Sequence, residues 1–496
     1  MNLYISTFHH QAAILMERGV DIIVHATGEI INFKVYSALW CVDSVARPIA
    51  QNRIQFNGYD DCSWCYIKGK HDGTTMRYPI SQMTDPPLRT HEKYILDVQT
   101  AVRCKKVVNG VKGYSAMLLF PLLDCVWGFP PDYMHGALLG VTRQIWMEWS
   151  KKHLSKSDKE KIDKRLLLLK PPHEIHRLPR SIFDCVKWKA SEWRSWMLFY
   201  SVLCIQGILR NELFHSYLLF VKSMHTLLTC NISEQDLIEC DKNLQIFVLE
   251  SQKYYGESFM TFNVHSLLHF VESVRISGPL WASSTFPFEN GIFLFKQNVN
   301  AAKGISYQIS VNWLKRYSLH SRIDASSKSI ICKEYCYNLF NHRLLTNCVQ
   351  TENGALVIGM IEPKKNLKNL AQTFFNNNEI RIDVFNRCIF RQTVIHSVAY
   401  TRPRKTNNTM ILLNSGKIVK VQNLLIVNKK CYIHYYDISI RSINGRDESK
   451  IKHIFEIVNE SNENIVDIRH FQSKVLVMSV EGKDYVAFFP NTLEIQ

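Results

Sequence analysis

Residues 36–65 read YSALWCVDSVARPIAQNRIQFNGYDDCSWC, and this stretch decides how the rest of the chain is interpreted. The largely apolar run Tyr36–Val42 predicts a short strand that ends on Asp43. A loop follows, with a turn signal at Asn57-Gly58. The stretch closes on Cys62-Ser63-Trp64-Cys65, which places two thiols at CxxC spacing. The sequence here therefore predicts a strand with a carboxylate at its end, then a loop that carries a thiol pair.

The thiol pair Cys62 and Cys65 is either half of a metal site or a redox dithiol. The segment NVHSLLH offers the other half, because His265 and His269 are four residues apart and share one face of a helix. Together the four side chains predict a Cys2His2 zinc site that joins two distant segments. The alternative is an incidental CxxC and two ordinary helix histidines.

Two carboxylates stand out as catalytic candidates. Asp43 ends the predicted strand, and Glu289 lies in SSTFPFENG after an apolar loop. Converging carboxylates that hold divalent ions are the usual means of cutting phosphodiesters. Each residue taken singly is better explained as a surface charge or a helix cap.

The segment PPDYMHGALLGV contains a third motif, Asp132-x-x-His135. An aspartate before a helical run is a good N-cap, and the histidine falls in the first turn. The simple interpretation is a cap with a packing histidine. A further alternative makes the two residues metal ligands of an unrelated hydrolase.

The chain changes character twice along its length. Residues 1–19 predict a helix that ends at Gly19, and two short strands follow around the turn at residues 27–29. Apolar residues then recur at spacings of three and four between about residues 133 and 278, which predicts buried helices. After about residue 335, period-two and β-branched runs predict a separate β-rich domain, for which a small barrel is one possible form. The predicted strands are Ala355–Met360, Glu379–Val384, Met410–Leu413, Lys417–Val421, Leu424–Val427 and Lys474–Val480.

Composition limits the function classes. The length of 496 residues suggests two or three domains, and no apolar run approaches the roughly 18 residues of a membrane span. No secretory signal is expected, so the 14 cysteines are expected to be thiols or metal ligands. The net charge of +16 favours an anionic partner such as nucleic acid, although a basic surface kept for solubility explains it equally well.

Several ordered segments resemble the transposases of CACTA (En/Spm-type) DNA transposons. They are CVDSVARPIAQNRIQFNGYDDCSWC, FPPDYMHGALLGVTRQIWMEW, WKASEWRSWMLFY and TFNVHSLLHFVESVRISGPLWASSTFPFENG. The resemblance covers roughly residues 1–300. The same segments are more distantly similar to the Transib transposases and to the catalytic subunit of the V(D)J recombinase.

The resemblance implies an α/β fold, namely an RNase H-like core interrupted by a large all-helical insertion. It divides the chain into a partial core at 1–130, the insertion at 131–279, the return to the core at 280–330 and a β-rich C-terminal domain at 331–496. It makes Asp43 and Glu289 the second and third catalytic acids, and it assigns structural zinc to Cys62, Cys65, His265 and His269.

The resemblance also implies metal-dependent DNA cleavage and strand transfer, with Mg²⁺ or Mn²⁺ held by three acids. The family's first acid lies on a strand upstream of the first helix, which here would precede Met1. We therefore expect a truncated core that is inactive as an endonuclease. The implied partner is DNA in the nucleus, with a homo-oligomer left open and no membrane or small-molecule substrate expected. The rival interpretation is a non-enzymatic, zinc-stabilised module that binds DNA or protein.

Overall fold

A computed structural model describes residues 1–24, 27–80, 86–326, 329, 332, 335–336, 348–401, 405–443 and 450–494. The chain forms two compact units. The first comprises Met1–Ser284, Ser439–Asn459 and Lys474–Gln496, and the second comprises Thr285–Ile438 and Glu460–Ser473. Helices dominate the N-terminal part of the chain, and a β-barrel domain follows.

The first unit begins with helix α1 (Asn2–Glu17). The helix gives way to Gly19, whose φ of +76° suits a residue without a Cβ. Strands β1 (Val20–Ile23) and β2 (Ile30–Phe33) then pair antiparallel, with Val20 opposite Phe33. The predicted helix and hairpin are therefore confirmed.

The strand predicted at Tyr36–Val42 is wrong. The N–H of Trp40 donates to the carbonyl of Gly128 at 2.8 Å, but no described strand pairs with this run. Tyr36 and Leu39 also remain exposed at 42% and 39%. An apolar run predicts contact with other apolar groups, but a strand needs a neighbouring backbone to complete its ladder.

The loop around the CxxC has little regular structure. It contains helix α2 (Ala46–Ala50) and the short strands β3 (Lys70–His71) and β4 (Met76–Arg77), and helix α3 (His91–Cys104) follows it. Its core is nevertheless continuous, since both cysteines, Trp64, Tyr78 and Tyr94 belong to one buried cluster.

From residue 134 to residue 277 every regular element is a helix, as the apolar spacing predicts. Two segments, Met134–Thr142 and Trp196–Tyr200, are wound as π-helices. The α-helices are α4 (Arg143–Lys152), α5 (Lys156–Leu167), α6 (Ala190–Ser195), α7 (Ser201–Ile205), α8 (Asn211–Leu227), α9 (Glu234–Tyr255), α10 (Phe262–Ser266) and α11 (Phe270–Ser277). Within the described part of the chain, no helix combines the length and apolarity needed to cross a bilayer.

The second unit begins with two helices, α12 (Phe286–Gln297) and α13 (Ile305–Ser326). A third helix, α14 (Lys365–Phe375), lies between strands. The C-terminal strands are β5 (Cys348–Gln350), β6 (Leu356–Ile361), β7 (Asp383–Phe390), β8 (Thr393–His396), β9 (Met410–Leu413), β10 (Ile418–Val427), β11 (Lys430–Ser442), β12 (Ile454–Asp467), β13 (Phe471–Val480) and β14 (Lys483–Phe488).

The barrel strands of the second unit pair antiparallel around β10, which contacts β7, β9 and β11. The runs predicted at Lys417–Val421 and Leu424–Val427 are one strand, interrupted at Gln422 by a shift of register against β11. Such a bulge lets one strand bend without losing its partner. The run predicted at Glu379–Val384 is mostly wrong, because β7 starts at Asp383.

The last strands also contribute to the first unit. Ile454 of β12 pairs with Ala487 of β14, and β14 continues against β13. Just beyond them, the side chain of Asn491 donates to the carbonyl of Leu228 at 2.9 Å. Polar contacts to helix termini of this kind satisfy carbonyls that have no partner within the helix.

Candidate metal centre

The cysteine half of the site lies in a loop whose backbone is fastened on both sides. The N–H of Arg89 donates to the carbonyl of Trp64 at 2.8 Å, and Cys65 forms an isolated bridge with Leu88. Cys62 and Cys65 are both fully buried. The loop therefore holds its two sulfur atoms away from solvent without forming a strand or helix.

The histidine half lies on consecutive helical turns. His265 is in α10, and His269 ends the 3-10 turn Leu267–His269. Because the backbone continues to turn, residues four apart still face the same side. Both rings are buried, with 1% and 3% of their surface exposed.

The structure brings the four predicted ligands together. Nε2 of His265 lies 3.3 Å from Sγ of Cys62 and 3.4 Å from Sγ of Cys65. Nε2 of His269 lies 3.3 Å from Sγ of Cys62 and 3.2 Å from Nε2 of His265. All four ligand atoms are within 4.8 Å of one another, close enough to hold a metal ion.

These separations match a tetrahedral shell. With Zn–S near 2.3 Å and Zn–N near 2.0–2.1 Å, tetrahedral geometry places sulfur and nitrogen about 3.5 Å apart and two nitrogens about 3.3 Å apart. The four contacts above lie within a few tenths of an ångström of those values. The donor set is therefore compatible with structural zinc.

The two thiols have opposite electrostatic behaviour. Burial favours the neutral thiol of Cys62, but a hydrogen bond with Cys65 and the two histidines lower the pKa of Cys62 well below its ordinary value. The hydrogen bond with Cys62, then burial, raise the pKa of Cys65. These directions favour ionisation of Cys62 over Cys65, and a metal that binds both sulfur atoms would require the second thiol to lose its proton as well.

Two buried arginines hold the cysteine loop from behind. Nε of Arg89 donates to the carbonyls of Cys62 and Cys65, at 2.9 and 2.8 Å. Arg53 donates to the carbonyl of Cys62 at 3.1 Å. Both guanidinium groups are only 2% exposed. They fix the backbone of the loop, and with it the direction in which the two sulfur atoms point.

Aromatic rings enclose the histidines. The ring centroids of Trp64 and His269 are 5.5 Å apart, and the guanidinium of Arg47 lies over the Trp64 ring, 4.1 Å from its centroid. The Tyr78 ring stacks on His265 at 5.6 Å with an interplanar angle of 18°. Burial lowers the pKa of His269, which favours the neutral imidazole that a metal requires.

Sequence analysis did not identify these supporting residues. Arg53, Arg89 and Tyr78 act through loop carbonyls or ring faces, and no spacing rule marks such contacts. Asp61 was also missed, although it directly precedes Cys62. It is 1% exposed, and burial raises the pKa of Asp61 to about 7, with Arg47 acting in the opposite direction.

The Asp132-x-x-His135 motif forms a direct pair. The predicted cap is present, since the Asp132 carboxylate accepts hydrogen bonds from the N–H groups of Met134 and His135 at 3.3 and 3.0 Å. Nδ1 of His135 lies 2.6 Å from Asp132 Oδ2. The helix that follows is a π-helix. Both side chains line a small pocket with Ser44 and Arg47.

The two catalytic candidates lie in different units. Asp43 belongs to the first unit, where its Oδ1 accepts from the N–H groups of Val45 and Ala46 at 3.0 and 2.6 Å and so caps α2. Glu289 belongs to the second unit, in the first turn of α12. Their pairing stays a prediction.

No family model matches the sequence, and no curated protein matches it significantly.

Proposed function

We propose that this chain is a zinc-stabilised, transposase-like DNA-binding protein. The observation that supports this most directly is the Cys2His2 set, which joins side chains as far as 207 residues apart in the chain. A site of that kind can fasten the CxxC loop to the helical region. DNA binding and the transposase interpretation extend beyond this observation and need their own support.

Zinc is the ion that suits these donors best. Two sulfur and two imidazole ligands in a buried tetrahedral arrangement are typical of closed structural sites, whereas calcium and magnesium prefer oxygen. All four ligand side chains are buried, so none of them faces solvent. The role of the ion is therefore to hold the fold together, and not to activate a substrate.

We propose the RNase H-like core as the finer description of the first unit. It is supported by the order of elements, with α1 and the β1–β2 hairpin before the CxxC and helices between the cysteine and histidine pairs. The motif order that resembles CACTA transposases runs through the same elements. In this proposal the helices from residue 134 onward are the insertion.

The charge of the chain supports DNA as the partner, in the nucleus. At the end of α3, the side chains of Arg103, Lys105 and Lys106 are all exposed. We name these three residues the α3 basic cluster. Exposed lysines and arginines bind phosphates and release counterions, so affinity should fall steeply with salt. The second basic cluster of the sequence, 402–405, lies mostly outside the described residues.

Fluorescence anisotropy of a labelled DNA duplex tests this proposal over a series of KCl concentrations. Replacing the α3 basic cluster with glutamines should lower the log–log salt slope by up to about 3, since each lost phosphate contact removes about 0.9. A matched control replaces Lys364, Lys365 and Lys368, which are exposed in the second unit. No binding at low salt would contradict the DNA proposal, and equal effects of both triples would contradict the location.

For strand cleavage, the resemblance assigns two acids within residues 1–496, Asp43 and Glu289. Two carboxylates bind Mg²⁺ loosely and do not readily hold two ions in line with a phosphodiester. We expect no cleavage of plasmid or duplex DNA by this chain in Mg²⁺ or Mn²⁺. Cleavage by the wild-type chain that is lost in Asp43→Asn would contradict this expectation. Asparagine is chosen because its side-chain oxygen can still cap α2.

A further inference from the structure

Helix α12 belongs to a helical hairpin whose inner face is fixed by several contacts. The rings of Phe295 in α12 and Trp313 in α13 lie 4.4 Å apart between their centroids. The side chain of Asn312 donates to the carbonyl of Asn298, just beyond the end of α12, at 2.9 Å. The side-chain oxygen of Gln308 accepts from two N–H groups of the connecting loop at 2.8 and 3.0 Å. These contacts determine which side of α12 faces α13.

A second face of α12 is exposed. The structure describes α12 throughout, and none of its residues is buried. Glu289, Ile292, Phe293 and Lys296 follow the spacing i, i+3, i+4 and i+7, so they share one side of the helix. All four are exposed, and Ile292 and Phe293 leave 48% and 56% of their surface accessible to solvent. We name these four residues the α12 outer face.

The α12 outer face is complementary to itself. Its two apolar residues are adjacent at the centre, with Glu289 three positions before Ile292 and Lys296 three positions after Phe293. When two copies of a helix pack antiparallel about a two-fold axis, each residue meets the residue at the mirrored position of the other copy. Ile292 then meets Phe293, and each Glu289 meets a Lys296 of opposite charge.

The same face suits a protein better than a nucleic acid. Its one anion and one cation cancel, so it has no net charge with which to attract phosphates. An exposed apolar centre with charges at its rim is instead typical of a protein interface. Four residues per copy form a small contact, so a weak association is expected.

We propose that the α12 outer face is a homodimer contact, in which two copies of α12 pack antiparallel. The proposal is independent of the zinc site and of DNA binding. It gives Glu289 a contact with a protein cation that requires no metal ion.

The two charges of α12 also have a role within a single copy. Glu289 lies in the first turn and Lys296 in the last turn, where each charge stabilises the helix dipole. Exchanging both charges opposes the dipole in every copy but keeps the charges complementary between copies. The exchange therefore distinguishes a dimer contact from a helix-dipole effect.

Sedimentation equilibrium of the full-length chain over a range of micromolar concentrations tests the proposal. Glu289→Lys or Lys296→Glu alone turns two attractive pairs per dimer into two repulsive ones. Each should raise the dimer dissociation constant by about tenfold or more. Glu379→Lys makes the same charge change at an exposed position elsewhere in the second unit, and it should leave the constant unchanged.

Two complementary samples should restore association. The double variant with Glu289→Lys and Lys296→Glu should dimerise to within about threefold of the wild type. An equal mixture of the two single variants should form heterodimers, because an outer face with two lysines then meets one with two glutamates.

Far-ultraviolet circular dichroism verifies that each variant is folded. If a charge variant does not fold, Phe293→Ala decides, since loss of the central apolar contact should weaken the dimer by about tenfold or more with both charges intact. A wild-type chain that stays monomeric throughout the concentration range would overturn the proposal. Unchanged association in the folded single variants, or a double variant and a mixture as weak as the single variants, would also overturn it.

Discussion

In the first unit, the described part of the loop at residues 51–90 has two strands of two residues each, whereas in the second unit the single strand β10 is ten residues long. The loop buries Cys62 and Cys65 together with Arg53 and Arg89, and the barrel core is rich in valine, isoleucine and leucine. In the barrel, neighbouring strands supply one another's backbone hydrogen bonds, and apolar side chains fill the core. The loop instead depends on a few specific polar contacts. A single substitution in one region should therefore leave the other region stable.

The largest difference should follow loss of a metal ligand. Cys62→Ser removes one thiolate, and we expect the first unit to lose on the order of 5 kcal/mol, part of the roughly 10–16 kcal/mol of a structural zinc. Hydrogen exchange read by mass spectrometry should show lost protection around residues 51–90 and unchanged protection in β7, β9 and β10.

Cys125→Ser is the matched control, because Cys125 is fully buried in the same core cluster but is not a ligand. It should keep the bound zinc. Equal loss of protection in both serine variants would show that the loop depends on ordinary packing.

The reverse experiment destabilises the barrel by a substitution in its core. Leu424 is fully buried in β10, and Leu424→Ala should cost about 2–5 kcal/mol through the cavity it leaves. Protection should fall in β7, β10 and β11 while zinc content stays constant. Met360→Ala, at a position 63% exposed on β6, should change little. Loss of zinc in the Leu424 variant would contradict the independence of the two regions.

Acid should act on the first unit through a stacked histidine pair. The rings of His225 and His453 lie 3.8 Å apart; His453 is buried and His225 is partly buried. Burial lowers the pKa of His453 to about 4, although a hydrogen bond with the carbonyl of Leu198 opposes this. Burial and then His453 lower the pKa of His225.

As the pH falls, the histidines of the unfolded chain take up protons near pH 6.5. In the native chain His453 takes up a proton only near pH 4. Stability is therefore complete above about pH 6.5 and falls by about 3 kcal/mol for His453 as the pH drops to 4. Urea unfolding followed by tryptophan fluorescence between pH 4 and 7 measures this loss. His453→Gln should flatten the profile, and an unchanged slope would argue against the pair.

A surface ion pair should matter least. Nζ of Lys70 lies 2.8 Å from Glu257 and joins β3 to the following helical region, but both side chains are more than half exposed. A double-mutant cycle should give a coupling of about 0.2–1 kcal/mol that salt screens. A larger coupling would mean that this pair, and not a metal ion, fastens the loop.

Sequence patterns predicted the parts of the molecule whose chemistry is local. The CxxC and the histidine pair predicted the cluster, because ligand residues at fixed spacing are a strong local signal. Strand β9 matches its predicted run, Met410–Leu413. The capping role of Asp132 was visible for the same reason.

Features that depend on distant partners were not predictable. Strands β11 and β12 were missed; in β12, the middle of the sequence IFEIVNESNENIVD is strongly polar and mostly exposed. The false strand at Tyr36–Val42 shows the converse, because apolar composition cannot supply a neighbouring backbone. Arg53 and Arg89 act through carbonyls brought near by the fold.

X-ray absorption at the zinc edge of the purified full-length chain, with metal content measured on the same sample, tests the central claim most directly. The account predicts about one zinc per chain, with two sulfur atoms near 2.3 Å and two nitrogen atoms near 2.0–2.1 Å. The sulfur count should fall by one in Cys62→Ser and stay at two in Cys125→Ser. A chain without zinc, or a shell of oxygen ligands that does not change in Cys62→Ser, would contradict it.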